Sequence, residues 1–362
     1  MKVAIVSDVH VGNPSAFGGE VRGGLNERAH LTLDVLRRAV VRAKVLGCND
    51  IIVLGDLFDT ACPSPQMVRA TYDVLGKMWS HLLVGNHELV STAKGDHALA
   101  SMPIGGNVVD VADEEVEWEF DSSLTVRALP YRSQARLDLK GEGITLLLMH
   151  QGIVTAETPP FLRDAPDALK LVDVEAACKE IGASACFAGH WHRRMLAVSG
   201  DDTSLLGQTV VMQVGALCPL GFRDLGLEGY GTLAIYDSAT DEVTVEEIPG
   251  PRFLVLNGLR EYANVIAHED LSTVTELFIR LYVPHDDAGE ARALAVIAHV
   301  HVEVMIDKAD TEVAARSAAT AVRSAETLDE ALAAFVAQMQ LPEGVDRQRV
   351  LGLARTYLNG GT

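Results

Sequence analysis

Short apolar runs that end in a polar cluster recur through the first half of the chain. They are residues 3–6 before Ser7-Asp8, 51–54 before Gly55-Asp56, and 82–84 before Gly85-Asn86-His87. Residues 146–149 before His150 and 185–188 before Gly189-His190 continue the pattern. Runs this short, bounded by glycine or a charge, predict buried strands. Helical spacing appears between them: Leu33, Leu36, Val40 and Ala43 share a face, and Gly47 supplies a stop. Ser64-Pro65 reads as an N-cap followed by proline at the first helical position, leading into Val68, Tyr72 and Leu75. Strands alternating with helices predict a layered α/β domain, in which ligands gather at the carboxyl ends of the strands. In this half every cluster of Asp, Asn or His lies at such an end.

After His192 the pattern turns to strands, including 210–214 and 231–236, and Pro249-Gly250-Pro251 marks a boundary. Residues 253–256, 277–283 and 300–306 then read as strands, with a helix over 290–298, making a small α/β second domain. Alternation of Val300, Val302, Val304 and Ile306 puts His299 and His301 on the opposite face. With no carboxylate or glycine turn beside them, this His-x-His reads as a solvated strand face. The tail opens a helix with the capping box Thr327-Leu328-Asp329-Glu330, carrying Leu332, Phe335, Val336 and Met339. Pro342-Glu343-Gly344 breaks it before a second helix to Leu358. Such a pair either caps the core or docks a partner helix. The expected division is 1–250, a layered α/β domain, 251–325, a small second domain, and 326–362, a helical pair.

Composition narrows the field. The chain has 362 residues, 48% apolar and 22% charged, enough to bury a sizeable core. Lys and Arg number 30 against 50 Asp and Glu, a net charge of −20 that repels phosphate backbones unless basic groups gather locally. Residues 110–121 hold seven carboxylates and no Lys or Arg, which reads as a solvated face. Candidate basic clusters are Arg22, Arg28, Arg37, Arg38, Arg42 and Lys44, then Arg127, Arg132, Arg136 and Lys140, and the Arg193-Arg194 pair after His192. Five scattered cysteines, an opening without a leader pattern, and no apolar run near the ~20 residues of a membrane helix predict a cytoplasmic protein with no membrane contact.

Five clusters carry the chemistry: Asp8-x-His10, Gly55-Asp56-x-x-Asp59, Gly85-Asn86-His87-Glu88, His150 and Gly189-His190-x-His192. Mixed carboxylate, amide and imidazole donors suit first-row divalent cations. Positions i and i+2 at an extended strand end reach one centre, and a carboxylate such as Asp56 can bridge two cations roughly 3.5–4 Å apart. Each piece alone is commonplace. Together, at successive strand ends, they would form a costly uncompensated cluster without a metal.

The order D-x-H, G-D-x-x-D, G-N-H-E, H, G-H-x-H resembles the calcineurin-like metallophosphoesterases over about residues 1–240. The resemblance implies a four-layer β-sandwich flanked by helices. It also implies that Asp8, His10, Asp56 and His192 hold one metal and Asp56, Asn86, His150 and His190 the other. His87 would be the catalytic histidine. The string Gly55-Asp56-Leu57-Phe58-Asp59-Thr60, Pro63-Ser64-Pro65, Ala128-Leu129-Pro130-Tyr131 and residues 214–220 are similar to SbcD-type DNA repair nucleases, including phage-encoded recombination nucleases. That implies two divalent ions, manganese first with magnesium, iron or zinc as alternatives, and hydrolysis of DNA phosphodiesters by a metal-bridging hydroxide. It further implies exonuclease action on duplex ends, endonuclease action on single strands, a homodimer, and an SMC-like ATPase of the SbcC type as partner. If phage-encoded, the protein would work in the host cytoplasm. Asp59, Arg193 and Arg194 are the candidate substrate contacts. Glu88 stands where the family more often has Asp, and Gly215-Ala216-Leu217 replaces a more usual Gly-Ser-Pro. The alternative is a stand-alone phosphoesterase acting on a nucleotide or another small diester.

Overall fold

Sheet formation follows the apolar runs. β1 (Lys2–Val6), β2 (Asp50–Val53), β3 (Trp79–Leu83) and β4 (Val108–Ala112) run parallel in that order. The computed structural model describes residues 1–121, 123–137, 139–140, 143–198, 209–294, 297–306, 327–338 and 346–358. A second group comprises β5 (Val116–Asp121), β6 (Leu124–Leu129), β7 (Leu146–Met149), β10 (Ala185–Ala188), β11 (Met195–Val198) and β12 (Val210–Gln213). It forms a six-stranded sheet in the order β11-β12-β10-β7-β6-β5. β8 (Gly152–Val154) and β9 (Ala168–Lys170) pair separately. β13 (Thr232–Asp237) and β14 (Glu242–Glu247) extend the first sheet antiparallel past β1, so it also has six strands.

The period-2 geometry of a strand sends alternate side chains to opposite faces. Ala4, Val6, Ile51, Val53 and Leu82 therefore pack under α1 (Glu27–Val45) and α2 (Pro65–Leu75), against Leu33, Leu36, Val40 and Leu75. Val3, Ile5, Ile52 and Leu54 face the other sheet and meet Val126, Ala128, Leu146, Leu148 and Phe187. On the far side α3 (Leu171–Ile181) lays Val174, Cys178 and Ile181 on Leu147, Met149, Cys186 and Val211. The result is four layers, helix–sheet–sheet–helix. Asn26 caps α1 by accepting from the Ala29 amide at 2.9 Å, and Ser64 caps α2 at Met67, with Pro65 first in the helix.

The small unit is a parallel sheet of β15 (Gly250–Asn257), β16 (Val274–Val283) and β17 (Val300–Ile306), with α4 (Leu259–His268) and α5 (Ala288–Leu294). Its own core holds Leu256, Tyr262, Leu277, Ile279 and Leu281. β15 opens at Gly250, inside the Pro-Gly-Pro cluster expected to be a boundary. The helix expected over 290–298 is α5, which begins and ends earlier, and residues 295–296 lie outside the described residues. α6 (Leu328–Gln338) and α7 (Arg347–Leu358) form the terminal pair, joined by Arg355 and Asp329. The capping box is present, with Glu330 N donating to Thr327 Oγ1 at 3.2 Å and Thr327 N to Glu330 Oε2 at 3.3 Å. Met339 and Pro342-Glu343-Gly344 lie outside the described residues.

Two buried arginines bolt the small unit to the four-layer domain. Arg28 donates to the carbonyls of Ala16 (3.3 Å) and Leu220 (3.1 Å), with its guanidinium 4.5 Å from the Phe253 ring. Arg252, fully buried, donates to the carbonyls of Leu227, Pro251 and Tyr230 and to Glu247. Much of the first two basic clusters read from sequence is turned inward or paired with carboxylates. Arg28 and Arg127 are buried, while Arg22 pairs with Glu20, Arg37 with Asp34 and Arg42 with Glu246. Arg127 reaches Glu117 and the Lys140 carbonyl, which also neutralises part of the 110–121 acidic stretch.

Candidate metal centre

The loops after β1 and β2 continue the parallel pairing beyond the strands. Asp8 N donates to Gly55 O (3.2 Å), His10 N to Asp56 O (2.9 Å) and Val11 N to Leu57 O (2.8 Å). This zipper forces Asp8, His10 and Asp56 into the left-handed region, with φ of 50°, 53° and 51°; His190 joins them at 83°. Each such non-glycine residue costs roughly 1–2 kcal/mol, a strain characteristic of sites where function fixes the backbone. Gly55 (φ +88°) approaches His150 so closely that a Cβ would strike its imidazole. Gly85 lies likewise against Asp56, and Gly189 against Ser7 and the Leu54 carbonyl. These three turns need glycine because the ligand-bearing strand ends converge there.

Glu88 holds the convergence from below. Fully buried, it accepts the amides of Asp56 (3.1 Å), Leu57 (2.6 Å), Phe58 (3.1 Å) and Gly85 (2.7 Å). Burial and the nearby Asp56 push its carboxyl up to about 7 against the pull of those amides. The longer side chain at this position therefore spans both loops.

All seven expected metal-ligand residues come together at the carboxyl ends of β1, β2, β3, β7 and β10. Three overlapping groups of donor atoms each lie within 4.8 Å: Asp8, His10 and His192; His10, Asp56 and His87; Asp56, His150 and His190. Asp56 Oδ2 stands between His10 Nε2 (3.8 Å) and His150 Nε2 (3.3 Å), as a bridging carboxylate would. Asn86 Oδ1 faces His150 Nε2 at 3.2 Å and His190 Nδ1 at 2.9 Å. Asp8 sits 3.8 Å from His192 Nε2 and accepts the His190 amide at 3.1 Å.

The imidazoles test whether this set fits metal ions. His150 turns Nδ1 to the Leu54 carbonyl, His190 turns Nε2 to Asp167 (3.2 Å), and His192 turns Nδ1 to Asp224 (2.8 Å). An outer N–H given to an oxygen leaves a lone pair on the inner nitrogen, the arrangement of metal-binding histidines. His10 and His192 bring their Nε2 atoms to 3.1 Å from one another, a confrontation that a shared cation relieves. Burial alone would drive His150 to the neutral form, but Asp56 overrides it and raises the group to about 9. In turn His150, with His10 and His87, holds Asp56 well below the carboxylate range despite its burial. Negative charge that retains a proton on His150 retains a cation there equally well, since both compete for one lone pair. The residues fit two divalent cations.

His87 stands at the mouth, its ring edge-on to His10 with centroids 4.7 Å apart. Its amide donates to Asp56 Oδ1 (2.9 Å), and its Nδ1 lies 3.1 Å from Asp59 Oδ1. The bond to Asp59, opposed by partial burial and helped by Asp56, raises its pKa above the ordinary value. Asp59 therefore sits against His87 rather than standing free. Arg193 and Arg194 lie in an open groove of about 680 Å³ that begins at His190 and His192 and includes Thr155, Trp191 and Tyr230. Sequence reasoning missed Asp167 and Asp224, which lie in loops with no local pattern to mark them as histidine partners.

With that geometry in view, the family model described as calcineurin-like phosphoesterase matches residues 1–194. The chain belongs to the calcineurin-like phosphoesterase family. A dimetal phosphoester hydrolase fold is therefore its framework. Among solved structures, it is similar to a metallophosphoesterase from Sphaerobacter thermophilus, 14% identical over 69% of this chain and 89% of the other, with TM-score 0.33. A dimetal phosphatase from Danio rerio is 13% identical over 58% and 86% of the two chains, TM-score 0.35. A purple acid phosphatase from yellow lupin seeds is 11% identical over 67% and 52%, TM-score 0.39. No curated protein matches the chain. Among the described residues of this phosphoesterase no helix is long and apolar enough to cross a membrane.

Proposed function

We propose that this phosphoesterase is a DNA nuclease that hydrolyses phosphodiesters, the nuclease subunit of an SbcCD-type complex. The observation that carries the reading is the open groove leading from His190 and His192 past Arg193 and Arg194. A polymer can lie along it, and two guanidiniums beside the metal ligands suit backbone phosphates. Asp8, His10, Asp56 and His192 would hold one cation, and Asp56, Asn86, His150 and His190 the other. The ions, manganese first, supply Lewis acidity toward the phosphate oxygens and an activated water.

His87 is the general acid of this reading. Its Nδ1 is anchored on Asp59, which leaves Nε2 to give a proton to the departing alkoxide, and its raised pKa keeps that proton available near neutral pH. Asp59 acts as a positioning residue through His87. Exposed Phe335 on α6 and Leu353 on α7 offer an apolar surface for a coiled-coil segment of the ATPase.

A second reading, a small-diester phosphoesterase, draws support from the net charge of −20 and from the pairing of Arg22, Arg37 and Arg42 with carboxylates. The deciding experiment is manganese-dependent cleavage of end-labelled duplex and single-stranded DNA beside a small phosphodiester, comparing wild type with His87→Ala and Asp56→Ala. DNA cleavage lost in both variants supports the nuclease. Turnover of the small ester with DNA intact, even with the ATPase added, replaces it by the second reading.

A further inference from the structure

A cleft of about 490 Å³ separates α1 from the small sheet, away from the metal ligands. One wall is aromatic, formed by Phe17, Phe278 and His301, with Phe253 buried beside Phe278. Phe253, Phe278 and His301 occupy matched positions on β15, β16 and β17. Their rings stack in sequence, with centroids 4.9 Å apart at 10° and 4.6 Å apart at 14°. The ladder ends at β17, an edge strand, where the His301 side chain is 43% exposed. Phe17 leans over Phe278 at 5.2 Å from a backbone held at φ 53°, a strained conformation in the loop that leaves metal ligand His10.

The opposite wall carries Glu27 and Asp34 of α1. Asp34 pairs with Arg37, and Glu27 lies 3.9 Å from Arg22, which is itself bonded to Glu20. Glu276 beneath the aromatic wall accepts from His301 Nε2 (2.8 Å) and His299 Nδ1 (2.9 Å), which fixes the His301 ring. The His-x-His pair is solvent-exposed, as its spacing predicts, and is in addition tied to a carboxylate of the neighbouring strand, out of reach of sequence spacing. The charged lining is three carboxylates and Arg22, whose guanidinium is bonded to Glu20, so the cleft disfavours a phosphate. A flat, neutral ring bearing N–H donors meets both walls: aromatic side chains on one and carboxylate oxygens on the other.

We propose that this cleft receives a nucleobase, stacked on His301 as the next ring of the Phe253–Phe278–His301 ladder, with Glu27 and Asp34 accepting its amino or imino hydrogens. The occupant is an unpaired base of the DNA strand, or the base of a free nucleotide, which shares the same chemistry. The strand form rests on the nuclease reading. Bases with exocyclic amino groups bind better than thymine.

The test uses the full chain and a single-stranded oligonucleotide carrying 2-aminopurine, whose fluorescence falls on stacking. Wild type should quench the probe. His301→Ala should bind it about tenfold more weakly, the usual effect of losing one stacking partner. His301→Phe, which keeps the ring and discards the bond to Glu276, should restore binding. Hydrolysis of bis(p-nitrophenyl) phosphate should be the same in all three, which excludes misfolding. Equal binding and quenching in wild type and His301→Ala overturns the pocket and leaves the nuclease reading standing if DNA is still cut. No oligonucleotide binding by a wild type that hydrolyses the small diester defeats the nuclease reading and the strand occupant together. In that case 2-aminopurine ribonucleotide decides: His301-dependent quenching assigns the cleft to a free nucleotide, and none overturns it.

Discussion

Asp224 accepts the Nδ1–H of His192 at 2.8 Å and, with the same oxygen, the backbone N–H of Leu220 at 2.8 Å. The carboxylate fixes the tautomer of His192 and aims its Nε2 at Asp8 and His10. Asp224→Asn should fold normally but bind manganese roughly 10–100-fold more weakly, the usual effect of losing such a partner. Calorimetric metal titration measures this directly. Affinity equal to wild type would show that the imidazole is oriented by packing alone.

Gly55 offers a steric test of the same centre. At φ +88° it occupies backbone space that L side chains rarely adopt, and a Cβ there would run into His150. Gly55→Ala should lose metal binding and activity and lower the midpoint of thermal unfolding, since neither the Asp56 turn nor the His150 ring has room to yield. A variant that still binds two ions per chain would mean the two strand ends can part without cost.

Much of this was legible beforehand because the signals are local. An apolar run of four or five residues ending in Asp, Asn or His reports a buried strand and a ligand at once, so the ends of β1, β2, β3, β7 and β10 could be read directly. The caps at Ser64 and Thr327 were visible for the same reason. What escaped depends on distant pairs. Asp167 and Asp224 serve histidines from loops that the chain reaches only after folding. Arg28 looks like one more basic residue on a helix until Phe253, from another unit, arrives over it. The solvated face at His299 and His301 is as expected, but their bonds to Glu276 could not be read because that residue belongs to the next strand.

Arg28 joins the two units through a path that ends at the metal centre. Its guanidinium covers Phe253 and donates to Leu220 O, while Leu220 N is held by Asp224. Arg28→Met keeps much of the apolar volume but leaves the carbonyls of Ala16 and Leu220 unpaired, a loss of about 2–4 kcal/mol. Urea unfolding should register it. Combined with Asp224→Asn, the two effects should fail to add by more than about 0.5 kcal/mol, because both act on the Leu220 segment. Strict additivity would show that the junction and the ligand set are independent.

Glu276 gives the small sheet a pH dependence of known sign. Burial alone would raise its pKa, but the bonds from His299 and His301 outweigh that and hold it below the ordinary 4.5. A carboxylate depressed in the folded state adds stability that is fully present above its unfolded value and is lost as pH falls through the folded one. Both histidines are solvent-exposed, at 73% and 43%, so the contribution is within about 1 kcal/mol. Glu276→Gln should therefore unfold at a lower temperature than wild type at pH 5 and above. Below about pH 4.5 the two curves should draw together, with Glu27, His30 and Asp34 across the cleft unchanged in both proteins. Calorimetric scans between pH 6 and pH 3.5 would follow the gap. A difference that stays constant over that range would mean that Glu276 acts through packing and neutral hydrogen bonds, and that its charge contributes nothing to the edge strand.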